Sequence, residues 1–455
     1  MKKNYKKKNQ CKNKINKNIN ENNLINNENN LINNENNLII NDIFNILEPF
    51  LYKDIISEKS ENILYELNKP TFEQVVFTYE NEDISIMNGY HTIIKIDNEY
   101  RLYFRSSNNL EFKYYTTEES AAYENFCLIT SDDGLTFKKN KKELFQNLFC
   151  HNFFPYYSTQ QNKFIGISGT GMFQKGIYLF ESNDGFNWDK KEKIIKEDMI
   201  CNNWTHPNHF DSLNCLVYND IDNFYYIYMR HNNNIPLRRF VQFSKTRDFV
   251  NFTKCKLINI INDDKTQIYI SGIFKYFNSN YFLSIPTLHI NDKAVKNLMI
   301  SDNNVDWVII DNNLISDDKP RYIVQGMVPS LDNKKIYFYT FDEPDIKNSY
   351  ISCYSYPIHR INKIYCKEEG FIKTKIINLS NSSMTINLET NENGYIIIEI
   401  YDQANNIILK SNKLIGNEFN LIVNWEGQTI LEKNNYYVKF IINNAYLYSF
   451  TYNIK

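Results

Sequence analysis

From Ile43 to about Cys366, strand-like apolar runs alternate with short turns rich in Asn and Asp. Ile93-Ile94-Lys95-Ile96 turns at Asp97-Asn98-Glu99 into Tyr100-Arg101-Leu102-Tyr103-Phe104. Cys215-Leu216-Val217-Tyr218 turns at 219–223 into Phe224 through Met229. β-Branched and aromatic runs flanking turn formers predict β-hairpins.

A short phrase recurs at the ends of these units. Its copies are Ser131-Asp132-Asp133-Gly134-Leu135-Thr136-Phe137, Ser182-Asn183-Asp184-Gly185-Phe186-Asn187-Trp188, Ser244-Lys245-Thr246-Arg247-Asp248-Phe249-Val250-Asn251-Phe252 and Ser301-Asp302-Asn303-Asn304-Val305-Asp306-Trp307. Starts at 131, 182, 244 and 301 give steps of 51, 62 and 57 residues. A strand-only repeat of that length predicts a β-propeller rather than one continuous sandwich. Asp and Asn bond their own backbone in turns, and Gly or Asn supplies positive φ. Asp133, Asp184 and Asp248 are therefore expected to be scaffold, with the closing aromatic plugging the space between sheets.

Each repeat reads as an inner strand, a hairpin partner, a third strand ending at the box, and an outer strand. Inner strands beginning near Met87, His151, His209, Gln267 and Val324 imply five blades. The fifth has no box; Cys353-Tyr354-Ser355-Tyr356 stands where one is expected. Beyond Cys366, seven or so short strands without boxes read as a β-sandwich. They are Phe371 to Leu379, Met384 to Leu388, Tyr395 to Tyr401, Asn405 to Lys410, Asn420 to Trp425, Tyr436 to Ile442 and Tyr446 to Tyr452. Residues 1–45 repeat Glu21-Asn22-Asn23-Leu24-Ile25-Asn26-Asn27 with a seven-residue step, which admits a short coiled coil. The Asn content favours disorder instead. The predicted class is all-β: a disordered Asn-rich tail (1–45), a five-bladed propeller (46–366) and a C-terminal β-sandwich (367–455).

Composition narrows the function. A net charge of −2 with 23% charged residues gives no electrostatic bias toward nucleic acid or membranes. Eight cysteines without CxxC or zinc-like spacing predict buried thiols in a reducing compartment, and neither metal nor cofactor is expected. No secretory signal or membrane-spanning run is visible, which predicts a cytoplasmic protein. The abundance of Asn, Ile and Lys fits an AT-rich genome, such as a protist's or a large DNA virus's; in the latter case a virion is a further location. Against this Lys-rich background the few arginines stand out.

Three stretches carry a family likeness: Tyr100-Arg101-Leu102-Tyr103-Phe104-Arg105, Ser131-Asp132-Asp133-Gly134, and His209-Phe210-Asp211-Ser212-Leu213-Asn214 followed by Tyr225-Tyr226-Ile227-Tyr228-Met229-Arg230. Together they resemble the glycoside hydrolase family 32-like proteins, within the five-bladed propeller glycosidases that include invertases, fructanases and arabinanases. Gly370-Phe371-Ile372-Lys373-Thr374, Asn393 to Glu399 and Ala445 to Phe450 resemble the sandwich appended in that group. The resemblance implies a carbohydrate ligand. It also departs: where invertase-type enzymes carry Trp-Met-Asn-Asp-Pro-Asn, this chain has Ile86-Met87-Asn88-Gly89-Tyr90. Some relatives hold a central Ca²⁺, but no ligand cluster here demands one.

Propellers bind ligands at one mouth of the central channel, lined by the starts of the inner strands. That rule nominates Asn88 and His91 from blade one, His151 and Asn152 from blade two, His209, Asp211 and Asn214 from blade three, Gln267 and Tyr269 from blade four, and Gln325 from blade five. Arg105 and the loop residue Trp204, a stacking platform for a sugar face, join them. The alternative is that these groups solvate a water-filled channel. Glycoside hydrolysis needs two carboxylates. Asp211 is the axial candidate, with a strand-start cap as its alternative role. Glu119 leads the choices for the second, beside Glu118, Glu124, Asp263 and Asp264. Arg230 and Arg238 are read as orienting Asp211 or binding a carboxylate-bearing sugar. Arg238 and Arg239 are adjacent on a strand, so at most one of them serves the site. The competing function is a catalytically inactive carbohydrate-binding or structural propeller. Oligomeric state is not legible.

Overall fold

The structure, a computed structural model, describes residues 44–454 except 52, 80–88, 108–123, 171–174, 202–208, 235–236, 262–265, 291–292, 316–320, 343–347 and 428–430. Among the described residues, the helical content is three short 3-10 turns; the regular structure is otherwise β. No helix among them is long and apolar enough to cross a membrane.

Five blades form the propeller, antiparallel except for one short parallel pair, Asn259–Ile260 with Asp306–Asp311, at the edge of blade four. Blade one runs Gly89–Ile96, Glu99–Ser107, Glu124–Ser131 and Lys142–Gln146; blade two runs Phe153–Ser158, Lys163–Thr170, Gly176–Ser182 and Asp189–Ile195. Blade three runs Cys215–Asn219, Phe224–Asn234, Leu237–Thr246 and Lys256–Leu257. Blade four is interrupted: its first strand breaks into Gln267–Ile270 and Ile273–Lys275, and its second into Phe282–Ser284 and Thr287–Ile290. Gly272 (φ 58°) lies at the first break, where a Cβ would come within 2.2 Å of the Ile285 carbonyl oxygen. Blade five consists of Arg321–Ile323 and Val328–Pro329, Lys335–Asp342, Tyr350–Pro357 and, from far upstream, Thr71–Thr78. First strands touch between blades one and two, two and three, three and four, and five and one, where Thr92 also bridges to Gln325; blade five's Arg321–Ile323 instead meets blade four's Thr287–Ile290.

The boxes are turns, as their residues predict. Asp184 Oδ1 accepts from the amides of Phe186 (2.7 Å) and Asn187 (2.8 Å), and Ser182 Oγ donates to it at 3.0 Å. Asp133 repeats the pattern, and Asn303 substitutes for the aspartate in the fourth copy. The third copy corrects the sequence reading. Thr246, not Ser244, holds the serine position, because Thr246 Oγ1 contacts Asp248 and accepts from the amides of Asp248 and Phe249. Ser244 instead donates to the Thr253 carbonyl. A hydroxyl two residues before the aspartate is what the turn requires, and both Ser and Thr supply it.

Tyrosines on the second strands of blades five, one and three reach into the next blade's box. Tyr339 donates to the Gly134 carbonyl (2.9 Å), Tyr103 to the Gly185 carbonyl (3.3 Å) and Tyr228 to Asn304 Oδ1 (3.2 Å). Gly185, at φ 76°, must lack a Cβ: one there would sit 2.6 Å from the Tyr103 hydroxyl. Trp307 is fully buried against Tyr228 of blade three, with centroids 6.4 Å apart. The seven described cysteines are buried thiols with no disulfide among them.

The sandwich has its own core, from Ile364 and Ile372 to Phe440 and Phe450. Two pairs of expected short strands are continuous: Met384–Tyr401 and Asn434–Ile454. The Asn-rich junctions that read as turns are a bulge between Thr390 and Tyr395, with Asn393 and Asn444 at positive φ. Segments before the propeller join this sheet: Phe44–Glu48 and Ile56–Lys59 pair with Asn434–Ile454 and Gly370–Thr374, and Leu64–Leu67 pairs with Asn362–Cys366. That long-range pairing was not anticipated. Arg360 donates to Asn387 Oδ1 (2.8 Å) and packs over the rings of Phe419 and Tyr448. Glu48, buried beside blade four, accepts from Phe50 N (2.8 Å) and the Tyr281 hydroxyl (3.1 Å).

Replacing Asp184 by Ala removes a carboxylate that organises two backbone amides. The expected loss is about 1–2 kcal/mol in urea unfolding, whereas Asp132→Ala, which touches only exposed Lys138, should leave the midpoint unchanged. Glu48 gives a pH signature. Burial lifts its pKa from 4.5 to about 8, against the opposing hydrogen bonds from Phe50 and Tyr281. The folded state then binds the extra proton between those values, so this contribution is full below 4.5 and is lost as pH rises through about 8. Thermal melts should show Glu48→Gln gaining on the wild type from pH 5 to pH 9; parallel curves would refute the assignment.

Candidate functional site

Four charged side chains from three blades converge. Arg105 lies near the end of blade one's second strand, and Glu124 opens the third strand, one register pair beyond Ser106↔Asn125. His151 sits in the 3-10 turn Leu148–Asn152 before blade two, capped by Asn147 Oδ1 accepting from Phe149 N at 2.8 Å. Asp211 follows Phe210, whose φ of 63° turns the loop into blade three. Asn214 locks that loop, donating to the Phe210 carbonyl (2.9 Å) and accepting from Arg230 N (3.1 Å). Gly169 makes room: a Cβ there would lie 2.5 Å from Asn214 Nδ2.

His151 is the hub. Its Nδ1 lies 3.0 Å from Glu124 Oε1, and its Nε2 lies 3.5 Å from Asp211 Oδ1. Arg105 Nη1 lies 2.6 Å from Nδ1 of the same ring and 3.7 Å from Glu124 Oε1. Asn152 donates to Asp211 Oδ1 at 3.4 Å and to the Gly169 carbonyl at 2.9 Å. Glu124 is fully buried, while the Asp211 side chain remains 40% exposed. One imidazole spans the two carboxylates, so they stand within roughly 10 Å of each other, the scale of a glycosidase carboxylate pair.

Burial opposes the charge on Asp211, but the His151 contact, the Arg230 charge and the Asn152 amide outweigh it and hold the carboxyl well below 3.8. Burial and the Arg105 charge oppose protonation of His151. The carboxylates of Glu124 and Asp211 prevail, and its pKa lies above 6.5.

Aromatic surface adjoins the cluster. The hydroxyls of Tyr90 and Tyr269 are 3.5 Å apart. The Arg105 guanidinium lies 4.5 Å from the Tyr90 ring centroid, and those of Arg230 and Arg239 lie 4.9 and 5.7 Å from that of Tyr269. Arg230 also donates to the Tyr269 carbonyl at 2.6 Å.

Of the residues nominated from sequence, Arg105, His151, Asn152, Asp211, Arg230 and Tyr269 are brought together. His91 is buried instead between Phe104 and Phe341, its Nε2 2.6 Å from the Tyr79 hydroxyl; burial and the Arg105 charge push its pKa down to about 3. His209 is buried against His231, with Nδ1 accepting from Asn232 N at 3.0 Å. Gln325 is buried where blades five, four and one meet, donating to the Ile273 carbonyl. Asn214 is the loop lock described above. Gln267 opens blade four opposite His289. Arg238 packs over Phe240, and Arg239 is the member of that pair turned to Tyr269. Asn88, Glu119 and Trp204 lie outside the described residues, as do Glu118, Asp263 and Asp264. Glu124 was one of five alternatives for the second acid, and Tyr90 was not anticipated as part of the site. The signal for Glu124 was its place at the start of a strand antiparallel to the one carrying Arg105. Among the described residues, no group of three or more His, Cys, Asp or Glu side chains is placed to hold a metal ion.

No family model and no curated protein matches the sequence. Similar solved structures include an N-acetylgalactosamine deacetylase from F. plautii in complex with blood group B trisaccharide, at 12% identity and TM-score 0.44, covering 64% of this chain and 95% of that one. A glycoside hydrolase family 43 arabinoxylan arabinofuranohydrolase from Bacillus subtilis matches at 9% identity and TM-score 0.41, covering 81% and 96%. The catalytic domain of a Coprinopsis cinerea GH62 alpha-L-arabinofuranosidase matches at 8% and 0.44, covering 64% and 97%. Likeness this remote carries no argument about activity. The two families named here are 43 and 62, so the specific resemblance to family 32 gains no support from them.

In an NMR titration, His151 should titrate above 6.5 while His91 stays neutral down to about pH 4. Glu124→Gln should lower the His151 value, because it removes the carboxylate at Nδ1. An unshifted His151 in that variant would contradict the charge coupling.

Proposed function

We propose that the protein is a glycosidase-like, carbohydrate-active propeller that binds a glycan at the channel mouth. One observation carries this reading: the paired tyrosines Tyr90 and Tyr269 stand beside Asp211, an ionised and partly exposed carboxylate. A sugar presents an apolar ring face and hydroxyls that both donate and accept. Tyrosine rings suit the face, the ionised carboxylate accepts from hydroxyls, and arginine and asparagine donate to them.

A second reading adds hydrolysis, favoured by the Glu124–His151–Asp211 array. Asp211 is the carboxylate that would stabilise oxocarbenium-like charge or activate water. The carboxylates of Glu124 and Asp211 favour the protonated form of His151. Because His151 and Asp211 touch, they act from one side of the sugar. A reaction with acid and base on opposite faces needs a further group from the other wall.

The test is a glycan array with a panel of chromogenic glycosides, using the full chain. Binding to at least one oligosaccharide class is expected, with Tyr269→Ala weakening it about tenfold or more, roughly 1.4 kcal/mol. An array without a ligand, or a Tyr269→Ala variant that binds normally, would overturn the binding reading. The hydrolytic reading further requires turnover that Asp211→Asn abolishes.

A further inference from the structure

Arginine is scarce in this chain, at eight of the 51 Lys and Arg residues. Three of the eight nevertheless lie against the two tyrosine rings. Their charges are answered unequally. Arg105 stands 3.7 Å from Glu124, and Arg230 is engaged by the Tyr269 carbonyl and acts on Asp211. Arg239 is half-buried, and among the described residues no hydrogen bond or ion pair occupies its guanidinium; it rests on the Tyr269 ring.

Strand geometry explains its direction. Arg230 is paired with Val241, two residues from Arg239, so Arg230 and Arg239 project from the same face of blade three. Arg238 projects from the other, onto Phe240. Around Tyr90 and Tyr269, three guanidiniums face two carboxylates, a local excess of at least one positive charge in a protein of net charge −2. A partly desolvated cation without a counter-ion is costly, and a guanidinium fork matches a carboxylate in two-point contact.

Resting on the glycan-binding reading above, we infer that the ligand is an acidic glycan: a uronic-acid residue whose carboxylate pairs with Arg239 while its ring lies along Tyr269. The nearby negative charges of Asp211 and Glu124 limit the excess, which suits one carboxylate better than a dianionic phosphate. Arg239 is thus a specificity-determining residue.

The experiment compares oligogalacturonates and oligoglucuronates, each as free acid and as methyl ester, in equilibrium binding to the full chain. The ester keeps the sugar and removes the charge. The free acid of at least one series should bind at least tenfold more tightly than its ester. Arg239→Gln should reduce the acid to the level of the ester and leave the ester unaffected, with Arg239→Lys intermediate because charge survives without the fork. Arg247→Gln, in the third box, should alter neither. Raising salt should weaken the acid and spare the ester. Equal affinity for acid and ester, or an Arg239→Gln variant indistinguishable from wild type at an unchanged melting temperature, would overturn the inference. If only neutral glycans bind, the acidic preference falls and the binding reading stands. If no glycan binds, both fall.

Discussion

The ring is closed by backbone hydrogen bonds between distant parts of the chain. Thr71–Thr78, upstream of the first blade, pairs with Tyr350–Pro357 of the last, from Ser355↔Thr71 to Tyr350↔Thr78. Without that strand blade five would end on an unpaired edge, and such edges invite wrong pairing. Its absence would also loosen the seam, where Tyr339 of blade five donates to the box of blade one and Thr92 bridges to Gln325. The same seam logic extends to the sandwich, which takes strands from both sides of the propeller in sequence. Residues around 44–67 therefore reach the sandwich before the chain enters the ring, and residues after Cys366 complete it.

The candidate site inherits its precision from that closure. Arg105 and Glu124 come from blade one, His151 and Asn152 from the entry to blade two, Asp211 and Arg230 from blade three, and Tyr269 from blade four. A shift of an ångström between blades one and two, two and three, or three and four would open one of these contacts. The interactions are also mutually dependent. Glu124 is fully buried, and a buried charge requires close partners, here His151 and Arg105. Removing either partner leaves the remaining charges uncompensated, so substitutions within this group should be strongly non-additive.

The propeller was legible because its repeat is a local turn. Ser182, Asp184 and Gly185 interact within four residues, and local hydrogen bonds leave a fixed sequence spacing. Even the misread third copy failed only in which hydroxyl, Ser244 or Thr246, fills one slot. Pairing between residues 44–67 and the C-terminal strands left no such spacing, because its partners are hundreds of positions apart. The long sandwich strands were divided in error for a related reason: Asn393 and Asn444 are good turn formers, and a bulge uses the same positive φ without ending the strand.

Several members of the candidate cluster were legible in the sequence, but their surroundings were not. Of the residues nominated at the starts of inner strands, His91, His209 and Gln325 are buried: His91 between Phe104 and Phe341, His209 against His231, and Gln325 on the Ile273 carbonyl. His151 differs from His91 in having carboxylates at both nitrogens rather than Phe104, Phe341 and a tyrosine hydroxyl. Two histidines at equivalent-looking positions thus shift in opposite directions, one pushed down to about 3 and the other raised above 6.5. Neither environment can be read from neighbours in sequence, because Glu124 and Asp211 lie on other blades. Chemistry at this site is decided by which blade faces which, and that is fixed only when the ring closes.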